Sequence, residues 1–458
     1  DAAIDGLVLA ALGRSFPSGF HPDDFADTPA QPSLSDLCNR IEACTKPVVA
    51  ALHGAALGAG LQLALAAHGR VALATTRLGC PEVNLGLLPG AGGTQRLPRL
   101  IGAEQALRLM LTGRPVPAAE ALALGILDRV AEEGLAALAE AELRALLARG
   151  PAALPRGCHR REGMRDGLLY QRVIVAARSQ LAQHRMPAPM RIVECVEAAQ
   201  LLPFEAGCAF EAAAYADLLA TAESAALRHI HFAEARAAQF AETRLQPRPA
   251  AAPLRRVGIF GATAADLALP LLQTGLEVML VDPNRSQLVQ GLERLAAMQE
   301  QAVAEGRLTP QRRDLDWARL GSALGAAGLA DCGAVLLADA ALMPEAIEVT
   351  PPGTLLAVMG RGAVAPQDRG GDILGFRPSG ARLVELVVGP ETRAEQVLLA
   401  RALARGLGLP VLRSALPGGV PGRIMAAGRA AVAHLLMQGE AEEAVAAALA
   451  GFGFAGAA

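Results

Sequence analysis

The run from Gly79 to Leu97 constrains the fold of this chain more than any other segment, because proline and glycine interrupt it twice. Pro81 precedes Glu82 among apolar residues, and the glycine-rich loop 90–93 follows. Neither a regular helix nor a strand continues through such a segment, so it predicts a turn that fixes the Glu82 carboxylate in front of a glycine loop. Burial among apolar neighbours would raise the pKa of Glu82 and make it a base near neutral pH. On spacing alone, a solvated loop glutamate is the alternative.

A second pattern lies upstream, where the apolar run 48–52 leads into the Gly-Ala-Gly turn 58–60 and then into a helical sequence. The first N–H groups of a helix have no carbonyl partner within the helix, so this helix start can hold an oxyanion. The two patterns together predict a site that combines one carboxylate with backbone donors.

Length and composition disfavour several classes of protein. With 458 residues the chain exceeds what one hydrophobic core usually organises, so we expect two or more domains. A formal net charge of −3 and 3% aromatic residues disfavour nucleic-acid binding. No apolar run reaches the length of about 18 residues that predicts a membrane span, and seven cysteines without a Cys-x-x-Cys pair disfavour disulfides and a zinc site. We therefore expect a reduced, cytoplasmic protein without a bound metal.

The pattern along the chain divides it into five segments. Apolar runs alternate with glycine turns and helical stretches at first, which predicts an α/β domain at 1–135. Strand patterns then nearly vanish, so 136–244 is predicted as a helical connector and the proline-rich stretch 245–253 as an extended linker. A βαβ pattern opens a second α/β domain at 254–416, and 417–458 is predicted as the start of a helical C-terminal domain.

Three motifs of the first domain resemble those of the crotonase superfamily, the enoyl-CoA hydratases and isomerases. They are the segment Gly13 to Phe20 and the runs 48–64 and 79–97, and the resemblance spans roughly residues 5 to 130. It implies the superfamily's ββα spiral fold and a coenzyme A thioester, an acyl-CoA, as the substrate.

The resemblance also implies the residues of the site. The backbone N–H groups of Phe20 and Ala59 would form an oxyanion hole for the thioester oxygen. Hydratases of the superfamily pair the carboxylate at the position of Glu82 with a second glutamate, whose position here is Gln62. An amide orients a water molecule but does not take its proton, whereas the isomerases need only the first carboxylate. We therefore expect Glu82 to move the double bond of an enoyl-CoA, with hydration as the impaired activity.

The second domain carries a weakened nucleotide-binding pattern. A strand leads to Gly261, and Asp282 ends the next strand, where an acid can bind ribose hydroxyls. Thr263 and Asp266 stand where two further glycines would let the backbone approach a pyrophosphate. Their side chains, and the negative charge of Asp266, are expected to weaken NAD binding. Taken alone, the pattern fits an ordinary βαβ unit equally well.

The predicted connector resembles the linker of multifunctional β-oxidation enzymes, which join a crotonase domain to a 3-hydroxyacyl-CoA dehydrogenase. Its segments 195–199, 203–205 and 226–234 carry that resemblance. It implies a Rossmann-type dehydrogenase domain that uses NAD, and a thiolase subunit as a partner. The superfamily has strands upstream of the one near Gly6 and further helices after residue 454, so we expect both ends of the chain to be incomplete.

Residue by residue, the dehydrogenase resemblance is poor. The family's catalytic histidine precedes a Phe-Asn-Pro element, which here is 376–378, but Leu374 and Gly375 precede it and no histidine does. Glu385 matches the partner acid of that histidine. Because a carboxylate without its imidazole does not abstract a hydroxyl proton in the usual way, we expect little or no dehydrogenase activity. For the whole chain, the alternative is a catalytically degenerate paralogue that binds acyl-CoA or acts as a scaffold.

Overall fold

The chain forms two compact units, Asp1–Phe232 and Ala233–Ala458. A computed structural model describes residues 3–17, 31–244, 254–359, 367–379, 383–415, 419–452 and 454. Phe20 and the predicted linker 245–253 therefore lie outside the described residues. The division between the units falls within the predicted helical connector, and the four boundaries between the five predicted segments stay predictions.

Two sheets form the first unit. The larger sheet is parallel in the order β1-β2-β4-β7, and the smaller one joins β3, β5 and β6. The strands are β1 (Leu7–Ala10), β2 (Val48–Leu52), β3 (Ala55–Leu57), β4 (Gly69–Leu73), β5 (Arg77–Gly79), β6 (Val116–Pro117) and β7 (Arg129–Ala131). The apolar run 48–52 is confirmed as a strand, and β2 is buried along its whole length, as is usual for a parallel strand covered on both faces.

Helices surround these sheets. They are α1 (Leu34–Ala43), α2 (Ala59–Ala66), α3 (Gly93–Thr112), α4 (Ala118–Ala123), α5 (Leu135–Arg149), α6 (Gly167–Leu181), α7 (Pro187–Leu201) and α8 (Phe204–Leu219), and α9 (Ala222–Ala237) follows them. The predicted connector is thus helical. Its helices α7 and α8 pack on α3, and Ile192 and Leu218 belong to the same hydrophobic core as Leu65 and Leu97. Part of the connector therefore completes the core that supports the predicted site.

One sheet of eight strands organises the second unit, in the order β10-β9-β8-β11-β12-β13-β14-β15. Strands β8 to β13 are parallel, whereas β14 runs antiparallel to β13. The strands are β8 (Arg256–Phe260), β9 (Glu277–Asp282), β10 (Leu320–Leu324), β11 (Ala334–Leu337), β12 (Leu355–Val358), β13 (Ile373–Ser379), β14 (Leu383–Val387) and β15 (Val411–Ser414). From β8 the strand order proceeds through β9 and β10 in one direction and through β11 and β12 in the other, which confirms the predicted Rossmann-type architecture.

After β8 the second unit has a 3-10 helix, Ala262–Leu267, where a nucleotide-binding fold normally starts an α-helix. The α-helices are α10 (Ala268–Gln273), α11 (Arg285–Ala304), α12 (Pro310–Trp317), α13 (Met343–Val349), α14 (Ala394–Gly406), α15 (Val420–Met437) and α16 (Glu442–Phe452). The last two confirm that the C-terminal segment is helical. Within the described residues, every helix is too short or too polar to cross a membrane.

Candidate active site

Glu82 lies in a one-turn 3-10 helix, Pro81–Leu85, directly after β5. Pro81 at its first helical position fixes the start of the turn. The Glu82 side chain is 1% exposed, and burial raises its pKa from 4.5 to about 7, with a smaller upward contribution from the charge of Glu211. Sequence reasoning placed this carboxylate in an apolar turn, and its burial is confirmed. A carboxyl group with this pKa is half ionised at neutral pH, as a general base requires.

Gln62 is the direct hydrogen-bond partner of Glu82. It lies on α2, is buried, and donates from Nε2 to Glu82 Oε1 over 3.2 Å. Two acceptors remain without a partner among the described residues, Gln62 Oε1 and Glu82 Oε2, and both are buried. Since an unmade hydrogen bond at a buried polar atom costs about 1–3 kcal/mol, two adjacent unpaired acceptors indicate a place for a donor from outside the chain.

The Gly-Ala-Gly turn places the N-terminus of α2 beside these side chains. Gly58 has a φ of 53°, in the left-handed region that favours glycine, and α2 begins at Ala59. A Cβ on Gly60 would collide with the carbonyl oxygen of Pro17, so only glycine allows this approach of the chain. Ala59 lines the same cavity as Glu82. The Phe20 N–H, the other predicted donor of the oxyanion hole, lies outside the described residues.

A cavity of about 240 Å³ lies between the Glu82 turn and the start of α2. Its lining includes three of the predicted site residues, Glu82, Gln62 and Ala59, which the structure therefore brings together. The full lining is Ser33, Leu34, Ser35, Ala59, Gln62, Glu82, Gly90, Ala91, Glu211, Ala212 and Tyr215. The last three residues come from α8, which the sequence predicts only as part of a connector.

Glu211 is the functional candidate that sequence reasoning missed. It is 2% exposed and accepts hydrogen bonds from Gly92 N (2.6 Å), Thr94 N (2.9 Å) and Thr94 Oγ1 (2.6 Å). Burial is the largest influence on its pKa and raises it to about 7, against the opposing hydrogen bonds. A signal was available, since Glu211 interrupts the stripe of small and apolar residues that α8 buries: Gly207, Ala214 and Leu218.

In the second unit, the residues of the predicted nucleotide site make contacts with neighbouring segments of the chain. Gly261 has a φ of 104°, and a Cβ there would lie 2.5 Å from the Ala338 Cβ, so this glycine serves the approach of two chain segments. Asp282 is 1% exposed. It accepts from Ala262 N and from Asn284 N, each over 2.7 Å. Its carboxylate is thus satisfied by the backbone.

NAD needs free N–H groups at the turn and a free acid for the ribose. Here the N–H groups of Gly261, Ala262 and Ala264 donate to Val281 O, to Asp282 and to Gly261 O. The two substituted glycine positions carry exposed side chains, and Asp266 lies 3.6 Å from the Arg294 guanidinium. These N–H groups and the Asp282 carboxylate therefore already have partners within the chain.

Glu385 has a different setting from a catalytic acid. Its Oε1 accepts from Ser414 Oγ (2.5 Å) and from Val420 N (2.8 Å), at the start of α15. Across the β13–β14 pair it faces Arg377, whose Nε and Nη1 are buried and have no partner among the described residues. Leu374, one of the two residues that precede the 376–378 element, packs in the hydrophobic core of the second unit. In the described part of the chain, no cluster of three or more His, Cys, Asp or Glu side chains forms a metal site.

Comparisons with known proteins agree with this architecture. Residues 1–155 match the family model described as enoyl-CoA hydratase/isomerase. The chain is 32% identical over 485 residues to a peroxisomal bifunctional enzyme of Danio rerio, covering 99% of this chain and 65% of that protein. It is also 32% identical over 499 residues to a fatty acid oxidation complex subunit alpha of Shewanella sp. (strain MR-4), covering 99% and 68%. The chain thus spans about two thirds of the length of these curated relatives.

Among solved structures, a 3-hydroxybutyryl-CoA dehydrogenase from Escherichia coli is similar to this chain with a TM-score of 0.41 and 24% identity. The similarity covers 43% of this chain and 46% of that one.

Proposed function

Since this chain belongs to the family of the fatty acid oxidation complex alpha subunits, we propose that its first unit is an enoyl-CoA isomerase that acts through Glu82. The observation that carries the proposal is the pairing at position 62. Glu82 is a buried carboxylate with a pKa of about 7, and its neighbour in the cavity is an amide that donates to it. This pair has one group that exchanges protons rather than two.

The proposed reaction uses the unpaired Oε2 atom of Glu82 as the base. With a 3-enoyl-CoA substrate, Glu82 takes a proton from C2, the C–H electron pair forms a C1=C2 double bond, and the carbonyl π pair moves to the thioester oxygen, which gives a dienolate conjugated with C3=C4. The N–H groups of Ala59 and Phe20 are proposed to hold that oxyanion, where each donor of this kind contributes about 3 kcal/mol of barrier lowering. Glu82 then returns the proton at C4, which gives 2-enoyl-CoA and regenerates the carboxylate.

Hydration is the weaker activity in this proposal. Addition of water requires one group to take a proton from the water and another to deliver a proton to carbon. Gln62 Oε1 can accept a hydrogen bond from water, but the amide has no useful basicity. The hydrogen bond from Gln62 Nε2 also stabilises the ionised form of Glu82, which suits a base more than an acid.

The dependence of isomerisation on pH tests this proposal. The pKa of Glu82 is raised to about 7, and the base must be ionised to act. We therefore expect kcat/KM for 3-enoyl-CoA to rise about tenfold per pH unit below neutrality and to level off above it. Glu104→Gln, a change of an exposed carboxylate on α3, should leave the profile unchanged. A rate that is level from about pH 5 upwards would contradict a base with a raised pKa.

For the second unit, we propose a dehydrogenase-like fold that does not bind NAD. Supporting this proposal, the Asp282 carboxylate is already bound by Ala262 N and Asn284 N. Titration of the full chain with NADH, followed by its fluorescence, is expected to give a Kd above about 1 mM. Binding of an acyl-CoA by the same sample is the control for intact protein. A micromolar Kd for NADH would contradict the proposal.

A catalytically degenerate acyl-CoA-binding or scaffold protein is the second candidate function. Gln62 in place of a carboxylate and the occupied nucleotide turn favour it. It predicts binding of acyl-CoA without turnover of either 3-enoyl-CoA or 2-enoyl-CoA. A cytoplasmic location and association with a thiolase subunit are proposed from the resemblance to multifunctional β-oxidation enzymes, and pull-down with the cognate thiolase tests the second of these.

A further inference from the structure

Glu211 connects α8 to the glycine loop of the site. Its two carboxylate oxygens accept three hydrogen bonds, from the backbone N–H groups of Gly92 and Thr94 and from the Thr94 hydroxyl, over 2.6–2.9 Å. The Thr94 hydroxyl itself accepts from Gln95 Nε2 over 3.0 Å, which leaves its proton for Glu211. Three donors therefore converge on one buried carboxyl group at the first turn of α3, and their hydrogen bonds favour its ionised form.

The approach of α8 to α3 is built for this contact. Gly207 lies one helical turn before Glu211, and a Cβ on Gly207 would collide with the Gln95 side chain. A side chain there would displace the Gln95 amide, which donates to Thr94 and to the Cys195 carbonyl. Glu211 and Ala212 also line the cavity that contains Glu82, so the carboxylate lies at the site and not merely at a helix end.

Gly93 is the point at which this loop contacts Gln62, the hydrogen-bond partner of Glu82. It lies between Gly92 and Thr94, the two residues whose N–H groups Glu211 holds. A Cβ on Gly93 would collide with the Gln62 amide, so the loop backbone is the surface against which that amide rests. Gln62 in turn donates to Glu82. A continuous chain of contacts therefore runs from Glu211 through the loop to the carboxylate that acts on the substrate.

We propose that Glu211 is a positioning residue of the isomerase site, which holds the 92–94 backbone against Gln62 and places a negative charge in the cavity that Glu82 also lines. This inference rests on the proposed function of Glu82. It assigns no proton transfer to Glu211, because all its acceptor contacts are made to protein donors.

Several charged groups act on this pair. The negative charge of Glu211 raises the pKa of Glu82. On Glu211 itself, burial raises the pKa, while its hydrogen bonds and the Arg96 guanidinium on α3 lower it. Arg96 is bound by Glu42 and by the Ala91 carbonyl, so its charge is largely compensated. The remaining titratable neighbours are the phenol of Tyr215, which lines the same cavity, and three thiols. These are Cys80 beside Glu82, Cys208 on α8 and Cys195 on α7, whose pKa values burial raises to far above neutrality.

Three variants of the full chain separate charge from structure. Glu211→Gln removes the negative charge and keeps the size, Thr94→Val removes one hydrogen bond to Glu211, and Glu205→Gln changes an exposed carboxylate on the same helix. The first variant should move the acidic limb of the kcat/KM profile to lower pH and lower kcat about tenfold. Thr94→Val removes a hydrogen bond that lowers the pKa of Glu211, so it should move the limb in the same direction by less. Glu205→Gln should leave the limb where it is in the wild type. A limb unchanged in Glu211→Gln would overturn the proposal.

A second readout keeps this test independent of turnover. Infrared difference spectra, wild type minus Glu82→Gln, follow the protonation of Glu82 directly, and the same subtraction in the Glu211→Gln background should show the same downward shift. If the wild type turns over no substrate but the Glu82 protonation midpoint still shifts in Glu211→Gln, the isomerase function is wrong and the effect of Glu211 on Glu82 remains. If the midpoint does not shift, the proposed effect of Glu211 on Glu82 is wrong. If Glu211→Gln does not fold, Glu211→Asp keeps the charge with a shorter reach. Glu211→Asp should lower kcat about tenfold and leave the acidic limb of the kcat/KM profile at its wild-type pH. A wild-type kcat would contradict the positioning role of Glu211.

Discussion

Replacing Glu82 by Gln is expected to lower kcat for the isomerisation of 3-enoyl-CoA by about 1000-fold, which corresponds to about 4 kcal/mol of barrier. Glu82 lines the cavity, and its Oε2 atom has no hydrogen-bond partner among the described residues. The partner of its Oε1 atom is the Gln62 amide. The variant therefore has no group nearby in the described site with the same function. Glutamine keeps the size of the side chain, so binding of acyl-CoA should change little and the loss should fall on kcat rather than KM.

Steady-state rates with 3-enoyl-CoA, together with acyl-CoA affinity by calorimetry, check this result. Glu104→Gln, on the exposed side of α3, serves as a matched control with the same chemical change. A Glu82→Gln enzyme that keeps more than about a tenth of the wild-type kcat would show that another group moves the proton.

Gln62→Glu is expected to raise the hydration of 2-enoyl-CoA by about 100-fold or more, the usual contribution of a positioned acid or base. The new carboxylate would stand where the Gln62 amide lies 3.2 Å from Glu82 Oε1. Two carboxyl groups at that distance share a proton, because both do not ionise readily side by side. The pair then offers one base for water and one acid for carbon. The same repulsion should move the acidic limb of the isomerisation profile to higher pH.

Formation of 3-hydroxyacyl-CoA from 2-enoyl-CoA measures the gain. Gln62→Met is the matched control, since it keeps a side chain of similar length and adds no carboxylate. If Gln62→Glu folds and binds acyl-CoA but hydrates no faster than the wild type, then the missing carboxylate is not what limits hydration in this chain.

Local sequence patterns predicted the part of the site that local structure builds. Pro81 fixes the turn that carries Glu82, and the glycine turn before Ala59 fixes the start of α2. These positions depend on backbone conformations that proline and glycine reveal in the sequence. That Gln62 and Glu82 form a hydrogen bond depends on packing, but both belong to motifs whose joint role the crotonase resemblance implied.

Local sequence patterns did not predict contacts between residues that are far apart in the sequence. Glu211 reaches the site because α8 packs on α3 through Gly207, and no local pattern states which helix face meets which neighbour. The same applies to Asp282, which the strand pattern placed correctly at the end of β9. Its carboxylate binds the backbone N–H of Ala262, and such a choice of partner follows from the three-dimensional course of the turn.

The partition of the wild-type enzyme between isomerisation and hydration tests most directly whether Glu82 is the only acid/base of the first unit. Full-length protein is incubated separately with 3-enoyl-CoA and 2-enoyl-CoA, and the formation of 2-enoyl-CoA and 3-hydroxyacyl-CoA is followed by chromatography. A single carboxylate predicts a kcat/KM for isomerisation at least about 100-fold above that for hydration. Hydration as fast as isomerisation, or binding of acyl-CoA without turnover of either substrate, would contradict it.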